Sequence, residues 1–238
     1  MMKAMAIGAI TAAAAASAIA LQSHPAGEKG ADAAHPVVIE LYQSQGCSSC
    51  PPALKVLQAE ADRSDILALN FAVTYWDHLG WKDRFADPAY TKRQWDYAHA
   101  AGRGQVATPQ LIVNGRGAVN GGNRAEVDAA IVRWDRGRGG LEIGVAGNMV
   151  TIGAFASKGA TVWLVDYDPR TIDVPIRAGE NEGRTLPHRN IVTGLTRLGA
   201  WAGRPARFAL PAARPGMQRA VLVQAGSGGP IVAARRIS

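Results

Sequence analysis

Cys47 and Cys50 are the chain's two cysteines, held three positions apart as Cys47-Ser48-Ser49-Cys50. Thiols at that spacing can cycle between a dithiol and a disulfide, or offer two thiolates to a soft metal ion. A free thiol ionises near pH 8.5, and a helix N-terminus favours the thiolate that attacks disulfides. The bland alternative is a passive bridge, yet so small a loop removes little entropy from the unfolded chain. A metal site needs more ligands than two thiolates. His78, His99 and His188 could supply one, but no second C-x-x-C or His-x-x-His accompanies them. C-x-x-C is a weak signal by itself, and its context decides between exchange, an inert bridge and a copper- or zinc-handling site.

Two further groups of residues bear on that choice. Thr108-Pro109 is an X-Pro step, and a cis bond there would be a deliberate feature holding Thr108 extended, where a substrate chain can pair with it. An ordinary trans proline opening an edge strand is the alternative. The stretch Tyr75-Trp76-Asp77-His78-Leu79-Gly80-Trp81-Lys82-Asp83-Arg84-Phe85 crowds four aromatics and five ionisable groups into one loop. Trp76 and Trp81 could form a substrate platform, with Tyr75, Asp77 or Lys82 behind it and Asp77 or Lys82 tuning proton transfer. Equally, the aromatics could simply pack the loop onto a core edge, leaving Asp77, Lys82 and Asp83 solvated or paired.

The elements that would position these residues follow from hydrophobic spacing. Val37 to Tyr42 is a short apolar run suited to a buried strand. Leu54, Leu57 and Ala61 repeat at helical spacing over about Ala53–Asp62. Ile66 to Thr74 is almost continuously apolar, as central parallel strands are. Asp87-Pro88 reads as N-cap and first helical residue of a helix running to about Ala101, ended by Gly102 and Gly104. Gln110 to Val113 is a third strand stopped by the turn pair Asn114-Gly115, with Gly117 to Asn120 as its antiparallel partner. Asn123 with Glu126 resembles a capping box, followed by a helical face of Val127, Ala130, Ile131 and Trp134.

This β-α-β-α-β-β-α order predicts where the chemistry gathers. Two parallel strands end at one sheet edge, delivering Cys47 and the Tyr75–Asp77 segment there. An antiparallel third strand begins at that edge, at Thr108-Pro109. Ligands and chemistry in open α/β sheets collect outside the carboxyl ends of the strands. Pro51 and Pro52 lack an N–H, so the regular helix is expected to begin near Cys50–Pro51. Cys47 then sits at the tip as the exposed attacking thiol, and Cys50 is the more buried resolving one. Ser48 and Ser49 carry no charge and leave the potential unranked.

Beyond Arg136-Gly137-Arg138-Gly139-Gly140 the texture changes to short alternating runs between Gly, Pro and Asn turns. These are Leu141–Ala146, Met149–Ala154, Thr161–Asp166, Thr171–Ile176, His188–Leu198, Ala206–Leu210, Ala220–Gln224 and Ile231–Arg236. They predict an all-β sandwich or open barrel. The expected organisation is a signal peptide over 1–20, a disordered lead-in over 21–35, an α/β domain over 36–136 and a β-rich domain over 141–238. Glu180 and Glu182 are expected to pair with arginines, and His188 to lie in a surface loop.

The N-terminus carries Lys3, an alanine-rich apolar stretch and two small-x-small sites, Ala16-Ser17-Ala18 and Ala18-Ile19-Ala20. That is the pattern of a cleaved secretory signal, with a retained anchor as the alternative. Export to an oxidising space suits a disulfide, so the expected location is periplasmic or secreted. No later run is long and apolar enough to span a membrane. The chain is basic, 26 Lys and Arg against 19 Asp and Glu, but its arginines are scattered. The densest group, Arg133, Arg136 and Arg138, sits at a helix end, where cations meet the negative end of the dipole. Without a focused basic face, nucleic-acid binding is excluded.

Three stretches, SQGCSSCPPA (Ser44–Ala53), YWDHLGWKDRFADP (Tyr75–Pro88) and TPQLIVNG (Thr108–Gly115), resemble the signature segments of a bacterial exported family of unknown function with a thioredoxin-like fold. AGENEGRTLPHRNIV and AVLVQAGSGGPIVAA resemble its C-terminal part. The resemblance implies an α/β thioredoxin-like domain followed by an all-β domain, and it implies no established substrate. Likeness to thioredoxin-like enzymes implies Cys47 as nucleophile, Cys50 as resolving thiol and Thr108-Pro109 as a cis-proline clamp. Gly46 stands where thioredoxin has tryptophan, and Ser48-Ser49 replaces the Gly-Pro type. The long Tyr75–Gly104 insertion suggests a specialised surface. The expected activity is thiol–disulfide exchange with protein partners of the cell envelope, with no cofactor beyond the Cys47–Cys50 disulfide. The β-rich part is expected to bind partners or envelope.

Overall fold

The computed structural model describes residues 30–156 and 159–237. The signal segment and most of the expected lead-in lie outside these. The first half contains β1 (Val37–Gln43), α1 (Pro51–Glu60), β2 (Ile66–Ala72), α2 (Pro88–Ala100), β3 (Gln110–Val113), β4 (Gly117–Val119) and α3 (Arg124–Trp134). The second contains β5 (Ile143–Ala146), β6 (Met149–Ile152), β7 (Ala160–Asp168), β8 (Ile172–Pro175), β9 (Thr185–His188), β10 (Ile191–Trp201), β11 (Ala206–Ala209), β12 (Gln218–Ala225) and β13 (Ile231–Ile237).

The helices begin where their caps demand. Asp87 Oδ1 accepts from Ala89 N at 2.7 Å, with Pro88 at the first helical position, where its missing N–H costs nothing. Asn123 Oδ1 accepts from Ala125 N and Glu126 N at 3.0 and 3.3 Å. Cys50 precedes α1 with no side-chain cap, and Pro51 opens the helix. Asn114 and Gly115 take φ values of 46° and 61° in the β3–β4 turn. Gly115 is required for a second reason: a Cβ there would lie 2.6 Å from the Gly229 carbonyl oxygen.

The expected architecture, an α/β thioredoxin-like domain followed by an all-β sandwich or open barrel, is overturned. The described residues are mostly β, with three α-helices. One mixed eight-stranded sheet runs through both halves in the order β13-β12-β7-β10-β2-β1-β3-β4. A separate sandwich or barrel would pair its strands among themselves; here β10 instead adds to the edge of β2. Only Ile191 and Asn70 pair there, in parallel. Asn70 N donates to Asn190 O at 2.9 Å and Asn190 Nδ2 to Ala68 O at 2.8 Å. The predicted strand His188–Leu198 is in fact two, broken at Asn190, whose φ of 50° turns the chain. Two small sheets, β11-β6-β5 and the β8-β9 hairpin, complete the fold.

Alternation along β1 and β2 sorts side chains onto two faces. Val37, Ile39, Leu41, Ile66 and Ala68 face α1 and α3. Val38, Tyr42, Leu67, Leu69 and Phe71 form one core with Tyr90 and Tyr97 of α2 and with Val165, Val192, Ala220 and Leu222 of the second half. Glu40 therefore points inward toward α2, where Arg93 meets it. Arg93 Nε and an Nη donate to Glu40 Oε1 at 3.0 and 2.7 Å, and its other Nη donates to Gln224 Oε1 of β12 at 2.9 Å. Both charges are buried. A pair so placed must be kept whole, since removing one partner strands the other charge away from water.

Candidate functional site

Register places the reactive segments. β1 and β2 run parallel with Gln43 opposite Ala72, and β3 is antiparallel with Gln110 opposite Tyr42. The chain leaving β1, the chain leaving β2 and the chain entering β3 thus share one sheet edge. Cys47 and Cys50 form a disulfide with Cα atoms 5.5 Å apart. The Thr108–Pro109 peptide bond is cis. Ser49 Oγ lies 3.3 Å from Cys47 Sγ and 3.5 Å from Thr108 O. Trp76 Nε1 donates to Thr108 Oγ1 at 2.8 Å. A Cβ on Gly46 would lie 3.5 Å from Trp76 Cβ, so this tryptophan lies against the turn that leads into Cys47.

The other sequence-predicted residues divide. Trp81 Nε1 donates to Gln45 Oε1 at 2.9 Å, while its ring packs with Val174, Ile176 and Leu186 of the β8–β9 hairpin. Tyr75 sits further along, donating to Gln94 Oε1 at 3.2 Å. Asp77 accepts from Asp83 N at 3.1 Å. Lys82 is exposed and reaches none of these groups.

Three expectations need correction. Cys47 is not an exposed tip: both cysteines have 0% relative accessibility. The turn ahead of Cys47, held by Cys47 N to Ser44 O at 3.1 Å, tucks the residue under its neighbours. His188 is no surface residue either. It lies on β9 with 0% accessibility, its ring 5.7 Å from that of Phe85 and both nitrogens without a partner among the described residues. Burial, with the Arg84 charge adding to it, lowers its pKa to about 4. Nor does Glu180 pair with an arginine. Its carboxylate Oε2 accepts from Ser48 Oγ at 2.7 Å and from Ser48 N at 3.0 Å. Those two bonds hold its carboxyl below the usual range.

At this edge sequence reasoning missed Asn181 and Gln45, and it missed the roles of Asp83 and Glu180. Asn181, fully buried, donates from Nδ2 to Gln45 O and Cys47 O at 2.9 and 2.8 Å, and Arg184 donates to its Oδ1 at 3.0 Å. With Glu180 it makes the 179–183 turn a clasp across the disulfide loop. Asp83 is buried, accepting from Gln45 N and Phe85 N at 2.9 Å each. Burial, reinforced by Asp77, raises its pKa to about 6 against those two bonds. Gln45 is the buried residue that Asp83, Trp81 and Asn181 all grip. The available signals were faint: two glycines, Gly179 and Gly183, framing a polar turn, and an acidic residue amid aromatics. Among the described residues no group of three or more His, Cys, Asp or Glu is placed to hold a metal ion. No helix among them is long and apolar enough to cross a membrane.

Comparison with known proteins adds kinship. The model of a family described as protein of unknown function (DUF1223) matches residues 38–224, which contain all three signature stretches. A protein of Agrobacterium tumefaciens, known from an X-ray crystal structure, is 32% identical over 88% of this chain and 95% of that one, with a TM-score of 0.71. HBP35 of Porphyromonas gingivalis shares the fold at 14% identity, covering 88% of this chain and 76% of that one, with a TM-score of 0.57. No curated protein matches the chain.

Proposed function

This chain belongs to the family of proteins of unknown function DUF1223, and we propose that it is an exported thiol–disulfide oxidoreductase acting on protein partners of the cell envelope. One observation carries the reading: the Cys47–Cys50 disulfide, the cis Thr108–Pro109 bond and Trp76 meet at one sheet edge and are joined through Ser49 and Thr108. An inert staple needs no such company.

In the reduced protein, the Cys47 thiolate attacks one sulfur of a partner disulfide and expels the partner's other sulfur as thiolate. Cys50, giving its proton to solvent, then attacks Cys47 Sγ, restoring the Cys47–Cys50 bond and releasing the partner as a dithiol. Two electrons pass to the partner; the reverse sequence oxidises a partner dithiol. No organic cofactor takes part. Thr108 and Trp76 are the surface on which a partner strand lies. Because both sulfurs are buried, the 179–183 turn or Trp76 must move before a partner reaches Cys47. The alanine-rich signal pattern at the N-terminus supports action in the periplasm or outside the cell.

The same burial favours a second reading, a binding module with an inert Cys47–Cys50 bridge. The readings separate in a redox titration combined with trapping. Under the exchange reading Cys50→Ser accumulates mixed disulfides with envelope proteins, and Cys47→Ser does not. A potential far below about −300 mV, typical of structural bridges, with no trapped adducts, would sink it. Stoichiometric copper or zinc on the reduced protein, lost in Cys47→Ser, would point instead to metal handling.

A further inference from the structure

Thiolates at such sites are stabilised by backbone N–H groups and hydroxyls around the helix start, and here several of those donors are missing or spent, Ser49 N being the one left over. Pro51 and Pro52 have no N–H to give. Cys50 N is bonded to Cys47 O at 3.2 Å. Ser48 N and Ser48 Oγ both donate to the Glu180 carboxylate, at 3.0 and 2.7 Å. The Ser49 hydroxyl lies 3.3 Å from Cys47 Sγ, within reach to donate to it, and 3.5 Å from Thr108 O, to which it also donates.

Acidic groups meet the loop from two sides, with Arg84 beside Asp83 as a counter-charge. Glu180 approaches from the 179–183 turn, and Asp83 binds Gln45 N from the segment after β2, with Asp77 behind it. Arg184 is held on Asn181 Oδ1.

We propose that Glu180 sets the direction of exchange, making the Cys47–Cys50 pair a reductant of partner disulfides that is recharged by a protein dithiol donor. The inference rests on the exchange reading above. A carboxylate bonded to the residue next to Cys47 repels a thiolate there and takes up the N–H that would have solvated it. The reduced form is left unstabilised, and a couple whose reduced form is unstabilised gives its electrons away. Such a thiolate, once formed, is also the stronger nucleophile. Each cycle moves two electrons from the donor dithiol, which becomes a disulfide, through Cys47 and Cys50, to the partner disulfide, which becomes a dithiol. Glu180 touches neither sulfur; it is a positioning residue acting through Ser48 and through its charge.

The test uses the full mature chain, with Glu180→Gln as the main variant, because an amide oxygen keeps an acceptor at Ser48 and removes the charge. Thiolate absorbance gives the Cys47 pKa, and equilibration with glutathione gives the exchange constant. Glu180→Gln is expected to raise the Cys47 thiolate fraction about threefold to tenfold at fixed pH. It is expected to shift the glutathione constant by a similar factor toward the dithiol, and both effects should shrink at high salt. Ser49→Ala should shift both in the opposite sense. Glu182→Gln, on the same turn but away from Ser48, should shift neither, and the melting of oxidised Glu180→Gln should match the parent.

Equal pKa and exchange constant in the parent and Glu180→Gln overturn the inference. Adducts trapped by Cys50→Ser in that same case leave the exchange reading standing. A shift in Glu180→Gln with no adduct from any envelope protein overturns the reductant role together with the exchange reading.

Discussion

Besides the β10–β2 strand junction, the two halves of the chain are joined by side chains in two unlike ways. On the α2 side, Arg93 reaches Glu40 of β1 and Gln224 of β12, all three buried, with Tyr97 Oη 3.0 Å from the same guanidinium. On the disulfide side, Glu180 and Asn181 hold the Cys47–Cys50 loop from a turn whose neighbours Glu182 and Gly183 are exposed. The first join has charge, aromatic faces and burial all agreeing, and it cannot open without exposing the core. The second is a few polar bonds, those of Glu180 exposed and those of Asn181 just beneath them, which can be released at lower cost than a core. One join ties α2 to strands of both halves and the other covers the chemistry.

The sharpest way to break that contrast is at Arg93. Arg93→Met leaves Glu40 buried without its cation, and a loss of about 3–5 kcal/mol in unfolding free energy is expected. Denaturant titration reads it. The Cys47–Cys50 potential of whatever remains folded should equal the parent's, because none of the Arg93 bonds reaches the disulfide loop. A potential that moved with Arg93 would mean the two joins are one.

A second test uses pH on two buried groups, His188 and Asp83. His188 falls from 6.5 to about 4. Its contribution is present in full above pH 6.5 and is lost as pH falls through about 4, because the unfolded chain binds the proton first. Asp83 rises from 3.8 to about 6. Its contribution is present in full below pH 3.8 and is lost as pH rises through about 6. Each is worth about 3 kcal/mol at about 1.4 kcal/mol per unit, and over pH 4–6 they oppose. The parent should therefore vary little across that window from these two groups. His188→Phe should expose a stability that falls as pH rises, and Asp83→Asn one that rises. Thermal melts at half-unit intervals would show slopes of opposite sign, and matching slopes would refute the assignment.

What the sequence disclosed follows the same division between local and distant causes. Asp87-Pro88 and Asn123 announce their helices because a cap acts within three residues. Cys47, Thr108 and Trp76 could be brought to one edge because strand direction alone fixes which ends coincide. The β10–β2 junction was hidden, since its ladder is one pair, Ile191 with Asn70, and an asparagine in an apolar strand does not say what it pairs with. The burial of His188 was hidden for a related reason: Thr185-Leu186-Pro187-His188 shows no apolar alternation, and it is the packing of Phe85 that covers the ring. Glu180 and Asn181 bond residues more than a hundred positions earlier, where no periodicity reaches.

The clasp itself gives a smaller effect. Asn181→Ala removes two donors from Gln45 O and Cys47 O, and a loss of about 1–3 kcal/mol is expected. The more telling readout is access. The disulfide should be reduced faster by a small dithiol than in the parent, while Arg93→Met should change that rate only through global unfolding. Measuring reduction across denaturant separates the two, because local opening is nearly independent of denaturant and global opening is not.

The smallest effect belongs to the Glu180 arm of the clasp. Its carboxyl is held below its ordinary value of 4.5 by the Ser48 bonds. The contact is therefore complete above pH 4.5 and is lost as pH falls through the lowered value. Asn181 does not titrate, so acid should loosen one arm and leave the other. Reduction by a phosphine, which still works in acid, should quicken below pH 4.5 in the parent relative to Glu180→Gln, whose rate should carry no such step. If the two rates keep a constant ratio across that range, Glu180 does not restrain the loop. The cover over Cys47 then rests on Asn181 and Trp76, and the disulfide side would be held more like the α2 side than its surface position suggests.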